Sequence, residues 1–178
     1  MASLIPCIRQ SLSHKVSKLV HSFPSVARFP VPWGEMDAFG HLNNVWHVRY
    51  VENGRFHHLE TVLKKHFTAT QYANFKNGSG VGIVIKSLNI QYKAPLTYPD
   101  NLIVATKIGK LDSNKNQYTQ YTRMISETTE LIIAEAEATI VAYDHGLKIK
   151  SVLAKEYFDA YNASTLEFGP QEYQKAKH

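Results

Sequence analysis

Cysteine is nearly missing from this chain of 178 residues. Cys7 is the single one, which excludes a disulfide within the chain and a cysteine-built zinc centre. Long apolar runs are missing too, since none approaches the roughly 20 residues that a membrane-spanning helix needs. There are no internal repeats and no low-complexity tracts. Acidic residues are missing from one region in particular. The first 34 residues hold Arg9, Lys15, Lys18 and Arg28 and no carboxylate. Of 20 basic and 15 acidic side chains in all, the remaining 144 residues therefore carry 16 and 15. A body this close to neutral lacks a broad phosphate-binding face, so the high pI of about 9.2 does not argue for a nucleic-acid partner.

What is present suits a globular protein. An apolar content of 44% and a charged content of 20% are ordinary, and the length fits one domain with its own core. The leader "MASLIPCIRQSLSHKVSKLVHSF" places Ile5, Ile8, Leu12, Val16 and Leu19 at three- and four-residue steps, with Arg9, Lys15 and Lys18 off that stripe. Basic, serine-containing and acid-free, residues 1–23 are expected to be a mitochondrial targeting segment. A helix that simply packs on the domain has the same pattern. A secretory signal does not fit, because no uninterrupted apolar stretch is present.

Pro24, Pro30 and Pro32 break up the next stretch, which reads as a linker running into a short edge strand. From Asn44 the apolar positions Val45, Val48, Phe56, Leu59, Val62 and Leu63 fall near a 3.6-residue period, predicting a helix to about His66. "FKNGSG", Phe75 to Gly80, reads as a loop. Four strands follow: "VGIVIKSLNIQYKAPL", "NLIVATKIGKL", "QYTQYTRMISE" and "ELIIAEAEATIVAYD", with turns at Asp112 to Asn116 and at Thr128–Thr129. The last strand has Ala134, Ala136, Ala138 and Ala142 on one face, leaving room for something bulky to approach closely. Val152 to Tyr161 predicts a short helix, and residues 166–178 read as a flexible tail. The expected architecture is α+β: one long helix wrapped by a curved antiparallel sheet of about five strands, with the domain spanning residues 24–165.

The stretch "DAFGHLNNVWHVRYVENGR" resembles the helix-entry motif of hot-dog-fold thioesterases related to 4-hydroxybenzoyl-CoA thioesterase. Asp37, Phe39, Gly40, His41, Asn43, Asn44, Glu52 and Arg55 carry the match. "SLNIQYKAPLTYPDNLIV" is similar to that family's second recurring segment, and the likeness spans about 26–144. One departure stands out: His47, beside Trp46, occupies a position where many members have tyrosine. The resemblance implies a hot-dog fold, hydrolysis of an acyl-CoA or acyl-carrier-protein thioester, no cofactor, and a homodimer or homotetramer. It implies that Asp37 is the catalytic carboxylate, as nucleophile or general base, and that the Asn44 backbone N–H polarises the thioester.

The residue chemistry agrees with that assignment. A thioester needs a nucleophile or activated water, plus donors for the charge growing on its oxygen. The first turn of a helix offers unpaired N–H groups and a positive dipole end. Asp37 also suits a plain turn or cap aspartate. His41 is a candidate third catalytic residue or a loop histidine. Phe39, Gly40, Trp46 and Tyr50 are candidate substrate contacts, although aromatic residues on a central helix also suit a core. Asn43 is expected to cap the helix, and Glu52 and Arg55 to form a structural ion pair. His57, His58 and Glu60 lack the spacing of a metal site, so no metal is expected. Lys86, Lys93 and Arg123 are candidate cations for CoA phosphates. Two other readings use the same residues: a hot-dog hydratase or dehydratase acting on enoyl or 3-hydroxyacyl thioesters, and a non-catalytic acyl-binding or assembly subunit.

Overall fold

Four long antiparallel strands build the fold. The computed structural model describes residues 8–112, 116–152 and 155–168. Strands β1 (Ser25–Pro30), β2 (Val81–Tyr92), β3 (Asn101–Asp112), β4 (Gln117–Ser126), β5 (Ile132–Asp144) and the two-residue β6 (Ile149–Lys150) form one antiparallel sheet. Its order is β1-β3-β4-β5-β2, with β6 paired to the end of β5. The four helices are α1 (His14–Val20), α2 (Asn44–His58), α3 (Ala69–Asn77) and α4 (Lys155–Phe168). The long helix and the curved sheet make up the expected hot-dog fold.

Strand β3 shows how one strand serves two cores. Leu102 and Val104 face α2, where they pack with Tyr50, Val51, Met124, Ala134 and Ala136. Ile103 and Ala105 face the other way and are covered by Val16, Val20 and Phe23. Further along the inner face, Ala138, Ile140 and Ala142 meet Leu59, Leu63 and the α4 side chains Tyr157, Ala160 and Tyr161. The alanine row of β5 thus does admit bulky neighbours, from α2 at one end and α4 at the other. Its alternation is interrupted once. The β4–β5 register slips between Met124 and Ile125, where Ile133 is the extra residue, and Ile133 joins Ala134 in the inner core.

At Gly54 α2 comes very close to the sheet. A Cβ there would lie 2.7 Å from both Thr106 Oγ1 and Val104 Cγ1. Glycine costs a helix interior about 1 kcal/mol, so its presence mid-helix reflects this close packing. Beyond His58 the helix widens into a π turn over Leu59–Leu63 and tightens to a 3-10 turn over Lys64–His66. The helical run therefore does reach His66, with a change of winding that periodicity does not reveal.

Several expectations need correction. Phe75 to Asn77 are the end of α3, and only Gly78 to Gly80 form the loop. The helix starts from a capping box in which Thr68 Oγ1 accepts from Gln71 N–H and Gln71 Oε1 accepts from Thr68 N–H. Gly78 ends it at φ 64°. Helix α4 starts at Lys155 and runs to Phe168, past the residue 165 boundary; residues 169–178 lie outside those described. The leader is half accounted for. Residues 1–7 lie outside the described residues, while α1 is capped by Ser13 and docked on the outer face of the sheet. Arg123 is no CoA contact: it is buried against Glu135 at 2.7 Å and donates to the Leu19 carbonyl, beneath α1 and the Phe23 ring.

His58 is 2% exposed, beneath the end of α2. Burial, helped by the neighbouring His57, pushes its pKa from 6.5 down to about 3. The folded ring is therefore neutral while the unfolded one takes up a proton below 6.5. Folding stability should be complete above pH 6.5 and drain away as the pH falls from there toward about 3. In urea titrations at stepped pH, His58→Leu should flatten that slope; an unchanged slope would contradict the assignment. Gly54→Ala should lower stability by about 1–2 kcal/mol despite alanine's better helix propensity, because Val104 and Thr106 are stiff β-branched neighbours. A raised unfolding midpoint would show that the sheet gives way easily.

Candidate active site

The loop before α2 is shaped by its own polar groups. Asp37 Oδ1 accepts the backbone N–H of Phe39 at 2.8 Å and of His41 at 3.1 Å. The Asp37 N–H donates to the His41 carbonyl at 2.8 Å, and Gly40, at φ 73°, lets the chain double back. A bridge between Met36 and Leu42 closes the base of this turn. Asp37 is thus a turn-forming aspartate, but through one oxygen only. Its Oδ2 takes no hydrogen bond from the described residues, so one carboxylate oxygen stays available for chemistry.

The loop is fastened to the helix behind it. The Asn43 N–H donates to the Glu35 carbonyl at 3.0 Å, and Tyr50 Oη donates to Glu35 Oε2 at 2.6 Å. Burial and the Glu35 carboxylate together raise the Tyr50 pKa, keeping its proton in place as donor. The Leu42 N–H donates to the Leu96 carbonyl at 2.8 Å, tying the loop to the segment after β2. Glu35 is a positioning residue that motif matching overlooked, and only its contact with Tyr50 reveals the role.

Asn43 caps α2: its Oδ1 accepts from Val45 N–H at 3.2 Å, as expected. The Trp46 N–H goes to the Asn43 carbonyl at 3.0 Å. Neither bond uses the Asn44 N–H. That donor belongs to the first turn at the positive end of the helix dipole, and Asn44 lines a cleft of about 310 Å³. Asp37, His41, Asn44, His47, Tyr92 and Lys93 share that wall.

The expected catalytic residues Asp37, His41 and Asn44 therefore meet in one cleft. The expected substrate contacts do not join them. Phe39 projects into solvent at 83% exposure, and Gly40 is exposed beside it. Trp46 and Tyr50 pack into the inner core, as an aromatic stripe on a central helix often does. His47 and Tyr92 take their place on the cleft wall. Their rings meet edge-on at a centroid distance of 4.9 Å. His47 Nδ1 lies 3.3 Å from the Asn43 carbonyl, which can only accept, so Nδ1 carries the proton. Burial lowers the His47 pKa, partly opposed by that bond, and leaves the ring neutral. Of the other candidates, Glu52 pairs with Arg49 at 2.6 Å more closely than with Arg55 at 3.8 Å. His57 bonds Ser25, His58 is buried, and Glu60 meets Tyr72, Lys64 and Lys76 outside. These three residues do not converge. Asp100, from the second resemblance segment, holds Ser126 and Thr128 and so joins two loops.

Comparison with known proteins gives a consistent picture. The long-chain acyl-CoA thioesterase FadM of Escherichia coli (strain K12) is 23% identical over 121 residues, covering 68% of this chain and 83% of that protein. Among solved structures, the DHNA-CoA thioesterase of Staphylococcus aureus superposes with a TM-score of 0.66 at 16% identity, covering 80% of this chain and 91% of that one. A 1,4-dihydroxy-2-naphthoyl-CoA thioesterase from Synechocystis superposes with a TM-score of 0.63 at 14% identity, covering 78% and 95%. These likenesses establish a shared fold. Residues 31–160 match the thioesterase-like superfamily, a span that holds the cleft, α2 and every strand but β1, and the chain belongs to that family.

Proposed function

We propose that this protein hydrolyses acyl-CoA thioesters to the free acid and CoA, with Asp37 as its catalytic carboxylate. The observation that carries the reading is the cleft that Asp37 and Asn44 line together. A thioester carbonyl seated there turns its oxygen toward Asn44 and the helix terminus, which stabilise the charge that grows on it. Asp37 Oδ2 then attacks the carbonyl carbon to give a mixed anhydride and CoA thiolate, which water hydrolyses; in the general-base variant it takes the proton of an attacking water. Lys93, on the same wall, is the cation nearest to hand for a CoA phosphate. An acyl-carrier-protein thioester presents the same reacting group.

The choice of variant decides how clean the test is. Asn keeps an oxygen acceptor for the Phe39 and His41 amides, whereas Ala removes it. Asp37→Asn should therefore fold like wild type while thiol release from acyl-CoA falls at least about 100-fold. Asp37→Ala should lose activity and also about 1–2 kcal/mol of stability. Full activity in Asp37→Asn would remove the residue from the mechanism. Loss of enoyl absorbance without thiol release would favour a hydratase instead.

The strand order supports a homodimer. Strand β2 is twelve residues long at the sheet edge, and Val81, Ile85 and Tyr92 along it are exposed. An edge this long and apolar favours pairing with a second copy, and two such dimers give a tetramer. Sedimentation should return at least twice the chain mass, and Ile85→Lys should move it toward the monomer. A monomeric wild type would contradict the pairing. The acid-free leader supports delivery to mitochondria. Because Val16, Val20 and Phe23 are buried against the sheet, processing would fall ahead of Ser13 rather than at residue 23.

A further inference from the structure

A second cavity, of about 240 Å³, lies beneath the far end of α2. Its walls are largely apolar: Leu59 and Leu63 from α2 and the turn after it, Ile83 and Ile85 from β2, and Ile108 and Ile140 from the sheet. Seven polar side chains interrupt that lining, and three of them are well covered and carry open polar atoms. His58 and Gln120 are each 2% exposed, and Arg55 is nearly covered, with a side-chain exposure of 17%. Both ring nitrogens of His58, Gln120 Oε1 and Arg55 Nη1 are buried without a hydrogen-bond partner among the described residues. The His58 approach to the Thr106 backbone, which works against the effect of burial, falls short of a well-formed hydrogen bond. The Tyr118 and Tyr157 hydroxyls on the same wall are bonded to each other.

Buried polar groups are nearly always paired because leaving them unpaired is costly, and the fold brings several to one apolar pocket. They are also placed consistently. Arg55, His58 and Leu59 fall on one face of α2 at i, i+3 and i+4. Gln120 sits on β4 between the buried Tyr118 and Thr122, on the face that meets the helix.

Both cavities lie on the same seam between α2 and β2. His47 and Tyr92 mark one end, and Phe56 and Ile85 mark the other. Leu88 lies between them and packs against both inner core clusters. From Asn44 to Arg55 the helix rises roughly 16 Å, the reach of a medium-to-long acyl chain.

We propose that this cavity receives the far end of the acyl group, and that the preferred substrates carry a hydroxyl at or near that end. The assignment rests on the thioesterase reading, because it places the thioester in the Asp37 cleft. A hydroxyl is both donor and acceptor. It accepts from Arg55 Nη1 and donates to Gln120 Oε1, while the ring N–H of a neutral His58 donates to its second lone pair. A methyl end leaves these groups unpaired. A carboxylate end meets Arg55 favourably but has no proton to give the Gln120 oxygen, which then stays unpaired.

The test uses the full chain and CoA thioesters of matched length ending in a hydroxyl, a methyl or a carboxylate. kcat/KM should be about tenfold higher for the hydroxyl series than for the methyl series. Gln120→Leu should collapse that ratio toward one, whereas a merely structural glutamine would change stability and leave the ratio alone. A preference for the carboxylate would overturn the hydroxyl assignment, as would equal rates for all three. Binding of the free ω-hydroxy and plain fatty acids, followed by the shift in thermal unfolding, reads the cavity without any turnover. A larger shift with the hydroxy acid in a protein that releases no thiol would sink the hydrolase reading and leave the cavity assignment standing. Equal shifts in an active hydrolase would do the reverse.

Discussion

The contact between Gly54 and the sheet is the constraint on which the rest of the structure depends. With Val104 and Thr106 pressed against bare backbone, α2 lies lower over the strands than any side chain there would allow. That depth buries Tyr50 and Val51 in the inner core, and Tyr50 in turn reaches Glu35. Glu35 anchors the loop that presents Asp37, and the same helix places Asn44 on the cleft wall. The acid and the amide are held by different elements, yet both are referred to one helix whose position the sheet fixes. A site that must place a carbonyl between two groups gains from such rigidity, since small misplacements are costly in rate.

Polarity is arranged along that helix. Its start faces a polar cleft that Asp37 and Asn44 line together. Its end covers a mostly apolar cavity with a few buried polar groups. Between them the seam against β2 is lined by aliphatic and aromatic residues. An acyl thioester has the same order of polarity, with its reactive group at one end of a hydrocarbon chain. The outer face of the sheet does different work. There the Arg123–Glu135 pair is closed over by Phe23 and the α1 helix, so the basic N-terminal stretch contributes apolar cover to the folded domain.

Much of this was legible in the sequence. The helix from Asn44, the four long strands and the alanine row of β5 all follow from periodicity. Asp37, Asn43 and Asn44 follow from a motif with a physical reason behind it. What was not legible depends on contacts between distant segments. Strand order is set by packing, so no local pattern places β2 at the edge beside β5. The bulge at Ile133 puts two consecutive residues into one core and defeats a count of alternate positions. Tyr50 belongs to the inner core and Trp46 packs against it, which only the docking of α2 on the sheet reveals. Helix α3 had a readable start in Thr68 and Gln71, and its weak apolar stripe hid it. Gln120 looks like any polar residue on a strand until α2 is laid over it.

The central claim is that the Asn44 amide meets the oxygen of the reacting carbonyl. A substitution of the Asn44 side chain cannot test it, because the group in question belongs to the backbone. The direct measurement is an amide-resolved NMR titration with an acyl-CoA analogue in which a methylene replaces the thioester sulfur, leaving an inert ketone. The account predicts that the Asn44 amide proton moves strongly downfield, more than those of Val45 and Trp46, which are already bonded to Asn43. An analogue that binds while the Asn44 resonance stays in place would contradict it.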